Sequence, residues 1–536
     1  MPPHWPRSAD HDFSKQVGWE AAKVQPSFAQ PLKHKATKYI PVLRIAAQLT
    51  KIGPGHYVVD LGREIQGGIT VNFRDGKLGT TVDVGYGEER HDDNIDPPTP
   101  HGSTIPGCKD CTVRCCPMRT TNVFHSIWTL RDGDQVCSEH EYKEFRYAEL
   151  VLSDSSVELQ PADVEGWLVR YPLSAADLVL PTLDDHNTHQ SSYRKLQPTV
   201  GLATWSSSNA SLDRVRDLCV YTLLSATLDT STDSNTRQRS TCHIDMLVAN
   251  LGLLHLVADR AMVTHNTALM LQADSDILDG WADFKAATVF SMRHAIMYAA
   301  PGDEAPLQLA REQYTRLQLF SLINFLDPSI NLLNKPAPNV PGLHACGATP
   351  CAGDLIDWPP ANRDNYTFSN VSAVPNGYAS KAIGHMGDIA AWLGKTDDTK
   401  HYKAVAAQMR SSIQKNLWDS SSGLFVDGLN VSHSAVHSSI IAAVGGVVTD
   451  PAVATAVLQA LTDRGLFDGR VLTTCWIAGA TLEAVYALGR VSTDGMAAET
   501  GLSYMSRSGH RSWIAMMDEW NATSKFTSDP TVARDL

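Results

Sequence analysis

The sequence lacks an uninterrupted apolar run long enough to span a bilayer, and its first residues contain no apolar core of the signal-peptide kind. Charged residues make up only 19% and aromatic residues 7% of the 536 residues, whereas hydrophobic residues reach 43%. This composition excludes a disordered chain and predicts a globular protein without a transmembrane helix. The length exceeds what one hydrophobic core usually serves, so we expect two or three domains.

The sequence also lacks an excess of positive charge, because its formal net charge is −13 and its isoelectric point lies near 5.8. A chain of this sign repels phosphates, which argues against nucleic acids and anionic membranes as partners. No glycine-rich phosphate loop follows a strand and no His-Glu-x-x-His motif occurs, so no metal or organic cofactor is expected. The sequence leaves open whether the chain forms a homodimer.

Ten cysteines are present, and four of them cluster in residues 108–116 (CKDCTVRCC), with Cys137 nearby and a close pair at Cys346 and Cys351. One Cys-x-x-Cys has partial zinc-site character, but no second well-spaced one follows, so disulfides, free thiols and a zinc site remain three interpretations. Together with the cysteines, the glycosylation sequons favour a secretory route. They begin at Asn209, Asn365, Asn370, Asn430 and Asn521.

The pattern of the chain changes along its length. Residues 1–37 are polar and predict an irregular arm, and residues 38–170 contain short alternating runs such as HYVVDLG and TTVDVGYG between turn signals. These runs predict an antiparallel β-sandwich of the jelly-roll kind. Residues 171–204 are interpreted as a connector to the part that follows.

From 205 to 536 the apolar residues recur with a helical period, as in HIDMLVANLGLLHLVADRAM and CWIAGATLEAVYALG. Ten or more helices joined by long loops, without strands between them, predict an all-α (α/α)6 toroid with a pocket among the loops at one end. An α-solenoid is the alternative, but no fixed repeat period is visible.

The segment DSNTRQRSTCHID, residues 233–245, resembles the signature loop of the glycoside hydrolase family 78 α-L-rhamnosidases. The spacing of Asp233, Arg237 and Asp245 carries the resemblance, which extends over residues 55–527. Further segments that resemble the family are DLGREIQGGITV (60–71), GYGEE (85–89), EFRYAEL (144–150), IDWPP with Arg363 (356–363), NGYASKAI (376–383) and His437 ahead of AAVGG. The resemblance implies a β-sandwich followed by an (α/α)6 domain.

The family's chemistry is inverting hydrolysis, in which one glutamic acid protonates the leaving oxygen and a second carboxylate activates water. The resemblance places the acid at Gln238 in this chain and the base, within NATSKFT, at Thr527. A glutamine has no titratable proton and cannot act as a general acid. An alternative alignment places the base at Asp518 or Glu519. The family's C-terminal β-domain is expected to be absent or vestigial.

The predicted pocket combines catalytic candidates from the signature loop with substrate-binding candidates from other loops. The catalytic candidates are Asp233, Arg237, Gln238, His243 and Asp245, and the substrate-binding candidates are Trp281, Asp283, Asp357, Trp358, Arg363, Tyr366, His437 and Trp476. Each also has a structural interpretation. The two signature-loop aspartates can hold Arg237 and Arg239 in ion pairs, and the histidines and tryptophans can serve packing or hydrogen bonding alone.

Three functions therefore stay open. The chain as a whole, rather than one motif, is similar to the fungal hetero-Diels–Alderases of tropolonic sesquiterpene pathways, which implies dehydration and cycloaddition of a small natural product in secondary metabolism. Such chemistry needs a near-attack pose and hydrogen-bond donors, and not the two missing carboxylates. The alternatives are an α-L-rhamnosidase that uses surrogate carboxylates and an inactive carbohydrate-binding pseudoenzyme.

Overall fold

A computed structural model describes the parts of the chain that form the two domains. The residues described are 40, 42–88, 124–172, 203–235, 239, 241–272, 282–320, 335–337, 339–345, 356–357, 360–492, 495–507 and 512.

The first part of the described chain is an antiparallel β-sheet. Its strands are Val42–Ala46 (β1), Gln48–Gly53 (β2), His56–Gly76 (β3), Thr81–Gly87 (β4), Phe124–Thr129 (β5), Gly133–Ser138 (β6), Lys143–Leu152 (β7) and Val164–Val169 (β8). The main path runs β1-β8-β3-β7-β4-β5, with β2 and β6 also paired to β3. A short 3-10 turn, Pro161–Asp163, precedes β8.

The long strand β3 organises this sheet because it pairs with four other strands. Its odd-numbered apolar side chains, from Tyr57 to Phe73, are buried in one core with side chains of β4, β7 and β8, whereas Arg63 between them is only half-buried. Alternation of this kind is what a strand with one face in a core requires. Gly67 is needed where β3 passes β8, because a Cβ there would lie 1.9 Å from the Trp167 carbonyl oxygen.

The second part is helical. Its helices are Ala210–Ser225 (α1), His243–Gly252 (α2, continued by a π-helical turn, Leu253–Val257), Arg260–Gln272 (α3), Ala282–Met297 (α4), Ala305–Glu312 (α5), Tyr314–Phe320 (α6), Ala373–Trp392 (α7), Thr396–Leu417 (α8), Val436–Val444 (α9), Pro451–Arg464 (α10), Cys475–Val491 (α11) and Met496–Ser506 (α12). Two-residue strands pair as Lys335–Pro336 (β9) with His344–Ala345 (β10), and Trp418–Asp419 (β11) with Leu424–Phe425 (β12). A 3-10 turn, Pro360–Asn362, precedes α7.

The helices form a ring rather than an open solenoid. Helix α2 packs against α4, α4 against α7, α7 against α9 and α9 against α11, and α11 returns to α2. These are the inner helices, and α1, α3, α8, α10 and α12 pack outside them. The inner and outer helices share one hydrophobic core. Its fully or almost fully buried aliphatic side chains include Ile383, Ile440, Ile441 and Leu458.

The two ends of this ring differ in the length of their loops. Residues 393–395, 445–450 and 492–495 join the C-termini of inner helices to outer ones, whereas residues 226–242 and 418–435 lead back into inner helices. Packed consecutive helices with short connections are antiparallel, so the inner helices run in one direction. Their N-termini therefore share one end of the ring, where the long loops lie.

The predicted order, an antiparallel β-region followed by a helical domain, is confirmed. The strands β1 to β8 form one hydrogen-bonded sheet that does not close into a barrel. Among the described helices, none combines the length and apolarity needed to cross a membrane.

Candidate functional site at the N-termini of the inner helices

Asp357 lies at the centre of a buried hydrogen-bonded cluster that joins three elements of the helical domain. Its Oδ2 accepts a hydrogen bond from His437 Nε2 at 3.0 Å and from the Thr474 amide at 3.1 Å. Its Oδ1 accepts from the Thr474 hydroxyl, and its carbonyl oxygen accepts from Arg363 Nε at 2.7 Å. Both the aspartate and the histidine are completely buried, so these contacts replace water for the carboxylate.

His437 is oriented by this cluster. Because Nε2 donates to Asp357, the other ring nitrogen, Nδ1, is left as an acceptor in the neutral ring. Nδ1 is buried and has no hydrogen-bond partner among the described residues. His437 lies in the first turn of α9, and Thr474 precedes the first residue of α11, so Asp357 ties two inner helices to the loop before α7.

The backbone beside Asp357 is strained. Ile356 has a φ of +45° and is buried. A β-branched residue in this region costs about 1–3 kcal/mol and persists only where surrounding contacts fix it. The hydrogen bonds of Asp357 supply such contacts, so its position is determined by packing around it and not by the local preference of the chain.

Asp427 forms a second buried cluster next to the first. Its Oδ1 accepts from the Ala435 amide at 2.7 Å and the Ser438 hydroxyl at 2.8 Å. Its Oδ2 accepts from the Thr367 amide at 2.9 Å and from His433 Nδ1 at 2.6 Å. The carboxylate therefore serves the N-terminus of α9, where a negative charge is favoured by the helix dipole.

Tyr366 belongs to this second cluster. Its hydroxyl contacts Ser372 Oγ at 2.5 Å and donates to the Asp427 carbonyl at 2.8 Å. Asp364 acts in the same region, because its Oδ2 accepts from the Val436 amide at 3.0 Å. The predicted binding residue Tyr366 thus already uses its donor inside the protein.

The signature segment holds a separate group made of Asp233, Cys242 and Asp245. Burial raises the pKa of the Cys242 thiol, and the carboxylates of Asp245 and Asp233 raise it further. Burial also raises the pKa of Asp245, and a hydrogen bond with the Cys242 thiol partly opposes that effect. Asp233 Oδ1 accepts from the Ser234 amide at 2.6 Å. Asp245 is therefore more disposed to keep a proton than an aspartate in water.

His243 begins α2 and is buried. Its Nε2 contacts the Met270 carbonyl oxygen at 3.0 Å, so it acts as a donor and links α2 to α3. Burial lowers the pKa of His243, and the hydrogen bond opposes this effect. The neutral ring therefore has its N–H engaged in packing two helices.

Arg239 anchors the signature segment to the β-domain. Its guanidinium lies 2.7 Å from Glu141 Oε1 and donates to the Tyr142 carbonyl at 3.0 Å, while it stacks on the Tyr142 and Phe124 rings. The interpretation in which Arg239 pairs with the signature aspartates is therefore wrong, because its carboxylate partner comes from the loop before β7. Its φ of +51° fits this reach across the domain boundary.

Several predicted residues fall outside the described structure. Arg237, Gln238, Trp281, Trp358, the base candidates Asp518, Glu519 and Thr527, and the cysteines of 108–116, 346 and 351 lie outside the described residues. Asp283 and Trp476 lie in α4 and α11, and their side chains are not described. Within the described part of the chain, no group of three or more His, Cys, Asp or Glu side chains is arranged to hold a metal ion.

Sequence reasoning missed Thr474, Asp427 and Asp364. The sequence could have indicated Thr474, since a threonine before an apolar helical run is a common N-cap. Its side chain makes no capping hydrogen bond and instead donates to Asp357. Asp427 and Asp364 had no such signal, because the amides that they bind at the start of α9 lie 8 and 72 positions later in the chain, beyond the range of a local cap.

Comparisons with known proteins show which domain and which fold this chain resembles. Residues 348–524 match the family model of the bacterial alpha-L-rhamnosidase 6 hairpin glycosidase domain. This range contains Asp357, His437 and Thr474. No curated protein sequence matches the chain.

Solved structures give the same result for the fold. The chain superimposes with a TM-score of 0.60 on a family 78 rhamnosidase of Bacillus sp. GL1, at 15% identity over 91% of this chain and 45% of that one. A Klebsiella oxytoca rhamnosidase with rhamnose bound gives 0.60, at 13% identity over 89% and 80%. A rhamnosidase of Aspergillus terreus gives 0.60, at 14% identity over 90% and 50%. The chain thus spans less than half of the Bacillus enzyme.

The fold and the matched domain define a protein built on a glycosidase scaffold. Residues 348–524 match the six-hairpin glycosidase domain of bacterial α-L-rhamnosidases, and the chain shares the fold of a family 78 rhamnosidase, so the predicted resemblance is confirmed at the level of fold. At identities of 13–15% the solved structures establish the fold and leave the activity to be argued. None of the three is a hetero-Diels–Alderase.

Proposed function

We propose that this chain is a non-hydrolytic enzyme on the family 78 scaffold, which binds a small natural product at the N-terminal end of the inner helices. In its finer form, the proposal is that the site promotes loss of water from an alcohol precursor and a hetero-Diels–Alder cycloaddition of the resulting heterodiene. The observation that carries the proposal is Gln238, which stands where the resemblance places the general acid.

The amide at this position keeps hydrogen-bonding capacity and removes proton transfer. A cycloaddition can use a donor that polarises a carbonyl, and it gains several kcal/mol from holding two partners in a near-attack pose. Arg237 and Gln238 are the proposed donors of this kind. His243 and Tyr366 were predicted alongside them, but each already donates to a backbone carbonyl.

The described carboxylates fall into two groups, those that only accept hydrogen bonds from the protein and one that can hold a proton, and this division supports the proposal. Asp357 and Asp427 each accept several hydrogen bonds from the protein, which suits a scaffold role. Asp245 has a raised pKa and can supply the proton that leaves with the hydroxyl of the alcohol. The C–O bond breaks, water departs, and a proton lost from the substrate restores the carboxylic acid. The cycloaddition then forms two bonds without net proton transfer.

One specific observation favours a second candidate. The raised pKa of Asp245 also suits a surrogate general acid, so an α-L-rhamnosidase in which Asp245 replaces the missing glutamate is the alternative. The matched glycosidase domain favours the same alternative. The two candidates differ in whether a glycosidic bond is broken.

The first experiment measures rhamnose release from an aryl α-L-rhamnoside by wild type, Gln238→Glu, Gln238→Glu combined with Thr527→Glu, and Asp245→Asn. We expect the wild type to release no rhamnose. Turnover by the wild type that is lost in Asp245→Asn would overturn the proposal in favour of the surrogate-acid rhamnosidase. Turnover gained only by the glutamate variants would show a surviving sugar pocket and favour the pseudoenzyme.

The second experiment tests the positive claim. The wild type is incubated with an alcohol that gives a heterodiene on loss of water, together with an alkene, and the stereoisomers of the adduct are separated by chiral chromatography. We expect one stereoisomer in excess with the wild type, and a smaller excess with Gln238→Leu, which keeps the volume and removes the amide. Equal mixtures with and without the protein would contradict the cycloaddition.

A further inference from the structure

Two of the glycosylation sequons differ from the others in their structural setting. Asn365-Tyr366-Thr367 and Asn430-Val431-Ser432 both have an exposed asparagine and an exposed hydroxyl residue at the third position. Neither asparagine side chain makes a hydrogen bond to any described residue. We propose that Asn365 and Asn430 are modified by N-linked glycans, and that the remaining described sequons are not.

The backbone presents both asparagines at turns. Asn365 has a φ of +54° and Asn430 a φ of +61°, a region that asparagine adopts more readily than most residues. A side chain at such a turn projects from the surface, and a bulky solubilising glycan there meets no packed element. The folded protein can therefore carry a glycan at either position without loss of an internal contact.

The other two described sequons are used by the fold. Asn209 is the N-cap of α1, and its side chain accepts a hydrogen bond from the Ser211 amide at 2.9 Å. Ser372, the hydroxyl residue of the Asn370 sequon, is completely buried and contacts the Tyr366 hydroxyl. A glycan on Asn209 would compete with the cap, and the buried Ser372 packs the Asn370 sequon against the helical core.

The two proposed sites lie on one rim of the ring. The Thr367 amide donates to Asp427, and the Leu429 amide donates to the Val371 carbonyl at 3.0 Å, so the loops that carry the two sequons are hydrogen-bonded to each other. Arg363, two residues before Asn365, holds the carbonyl of Asp357. Glycans here would border the end of the ring where the Asp357 cluster lies.

The modification is a group transfer from a lipid-pyrophosphate-linked oligosaccharide. The amide nitrogen of the asparagine bonds to the anomeric carbon of the first sugar, the bond from that carbon to the pyrophosphate oxygen breaks, and the amide loses one proton. The lipid pyrophosphate leaves. The inference rests on exposure and hydrogen bonding, and it does not depend on the function proposed above.

The test expresses the full chain through the secretory pathway of a eukaryotic host, with three matched variants. Thr367→Ala and Ser432→Ala each remove one proposed sequon and leave its asparagine in place, and Ser211→Ala does the same for the capping Asn209. Glycans are removed with an amidase that converts modified asparagines to aspartates, which peptide mass spectrometry locates. Thr367→Ser keeps a sequon and serves as the conservative control.

Among the four described sequons, we expect aspartate at 365 and 430 only. We also expect one step of the gel shift to be lost in each of Thr367→Ala and Ser432→Ala, and no change in Ser211→Ala or Thr367→Ser. A wild type without any glycan-dependent shift would overturn the proposal. Modification at Asn209 or Asn370 in place of these two would overturn it as well, because the structure would then not select the sites.

Discussion

The N-termini of the outer helices α1 and α10 are stabilised differently from those of the inner helices. The outer helix α10 begins with a local cap, since Asp450 accepts hydrogen bonds from the Ala452 and Val453 amides at 2.8 and 3.2 Å. The inner helices α2, α7, α9 and α11 begin at residues whose side chains make no capping hydrogen bond. Two of these residues, Ser372 and Thr474, use their hydroxyls to bind Tyr366 and Asp357 instead.

The start of the inner helix α9 is stabilised by carboxylates that lie outside its first turn. The first amides around the start of α9 bind Asp427, eight residues before Ala435 in the loop that leads into α9, and Asp364, from the loop before α7. The start of α9, at the end of the ring that carries the candidate site, is therefore held by contacts from beyond its own first turn, whereas the outer helices α1 and α10 begin at local side-chain caps. Substitutions at the inner N-termini should therefore disturb more than one element.

The largest effect is expected from Asp427→Asn. The amide would direct two hydrogens toward groups that now donate to a buried carboxylate, leaving the α9 N-terminus or Thr367 unpaired. Removing one partner of a buried charged group costs about 3–5 kcal/mol. We expect a loss of this size in the free energy of unfolding, measured by urea denaturation followed with circular dichroism.

The matched control is Asp450→Asn at the outer helix. Asparagine caps a helix as well as aspartate does, so this variant should unfold within about 0.5 kcal/mol of the wild type. Equal losses of unfolding free energy in Asp427→Asn and Asp450→Asn would show that the starts of α9 and α10 are not stabilised differently.

An intermediate effect is expected from Thr474→Val. It keeps the shape of the side chain and removes the hydroxyl that donates to Asp357, while the Thr474 amide still donates. An unpaired buried acceptor costs about 1–3 kcal/mol. Urea denaturation should show this loss, and Thr474→Ser should restore most of the stability because it keeps the hydroxyl.

The control for this prediction is Thr462→Val in α10, whose hydroxyl bonds only to the Leu458 carbonyl of the preceding turn. A small change is expected there. If both valines cost the same, the hydroxyl of Thr474 contributes no more than any helical threonine, and the contact with Asp357 is not what holds the start of α11.

The fold was predictable from the sequence because both domains are built on local periodicity. The alternating burial of β3 from Ile69 to Phe73 and the apolar period of α11 follow directly from the order of residues. The single continuous sheet was not predictable, since the pairing of β3 with four strands depends on contacts distant in sequence.

The site was predictable only in part. Asp357 and His437 were both identified. Their contact, however, depends on the meeting of a loop and the first turn of α9, which lie eighty positions apart in sequence. Tyr366 and His243 were predicted as ligand donors, and the structure gives their donors to backbone carbonyls. A single sequence shows which residues are polar. It does not show which of their polar groups already have hydrogen-bond partners inside the protein.

The smallest effect concerns pH and the start of α2. Burial raises the pKa of Asp245 above that of the unfolded chain, so the folded state binds the proton more tightly. Stability from this group is complete below the ordinary pKa of about 4 and is lost as the pH rises through the raised value. The nearby His243 changes the free energy of unfolding with pH in the opposite sense. Because burial lowers its pKa, the stability that it contributes falls as the pH drops below about 6.5.

Asp245→Asn separates these two slopes, since the amide cannot titrate and His243 is unchanged. The unfolding free energy of the variant relative to wild type should rise as the pH increases from about 4 through the raised pKa of Asp245. A difference that stays constant over this range would mean that Asp245 is not perturbed by burial. The surrogate-acid rhamnosidase and the dehydration step would then both lose their proton donor, and the start of α2 would behave like that of an ordinary outer helix.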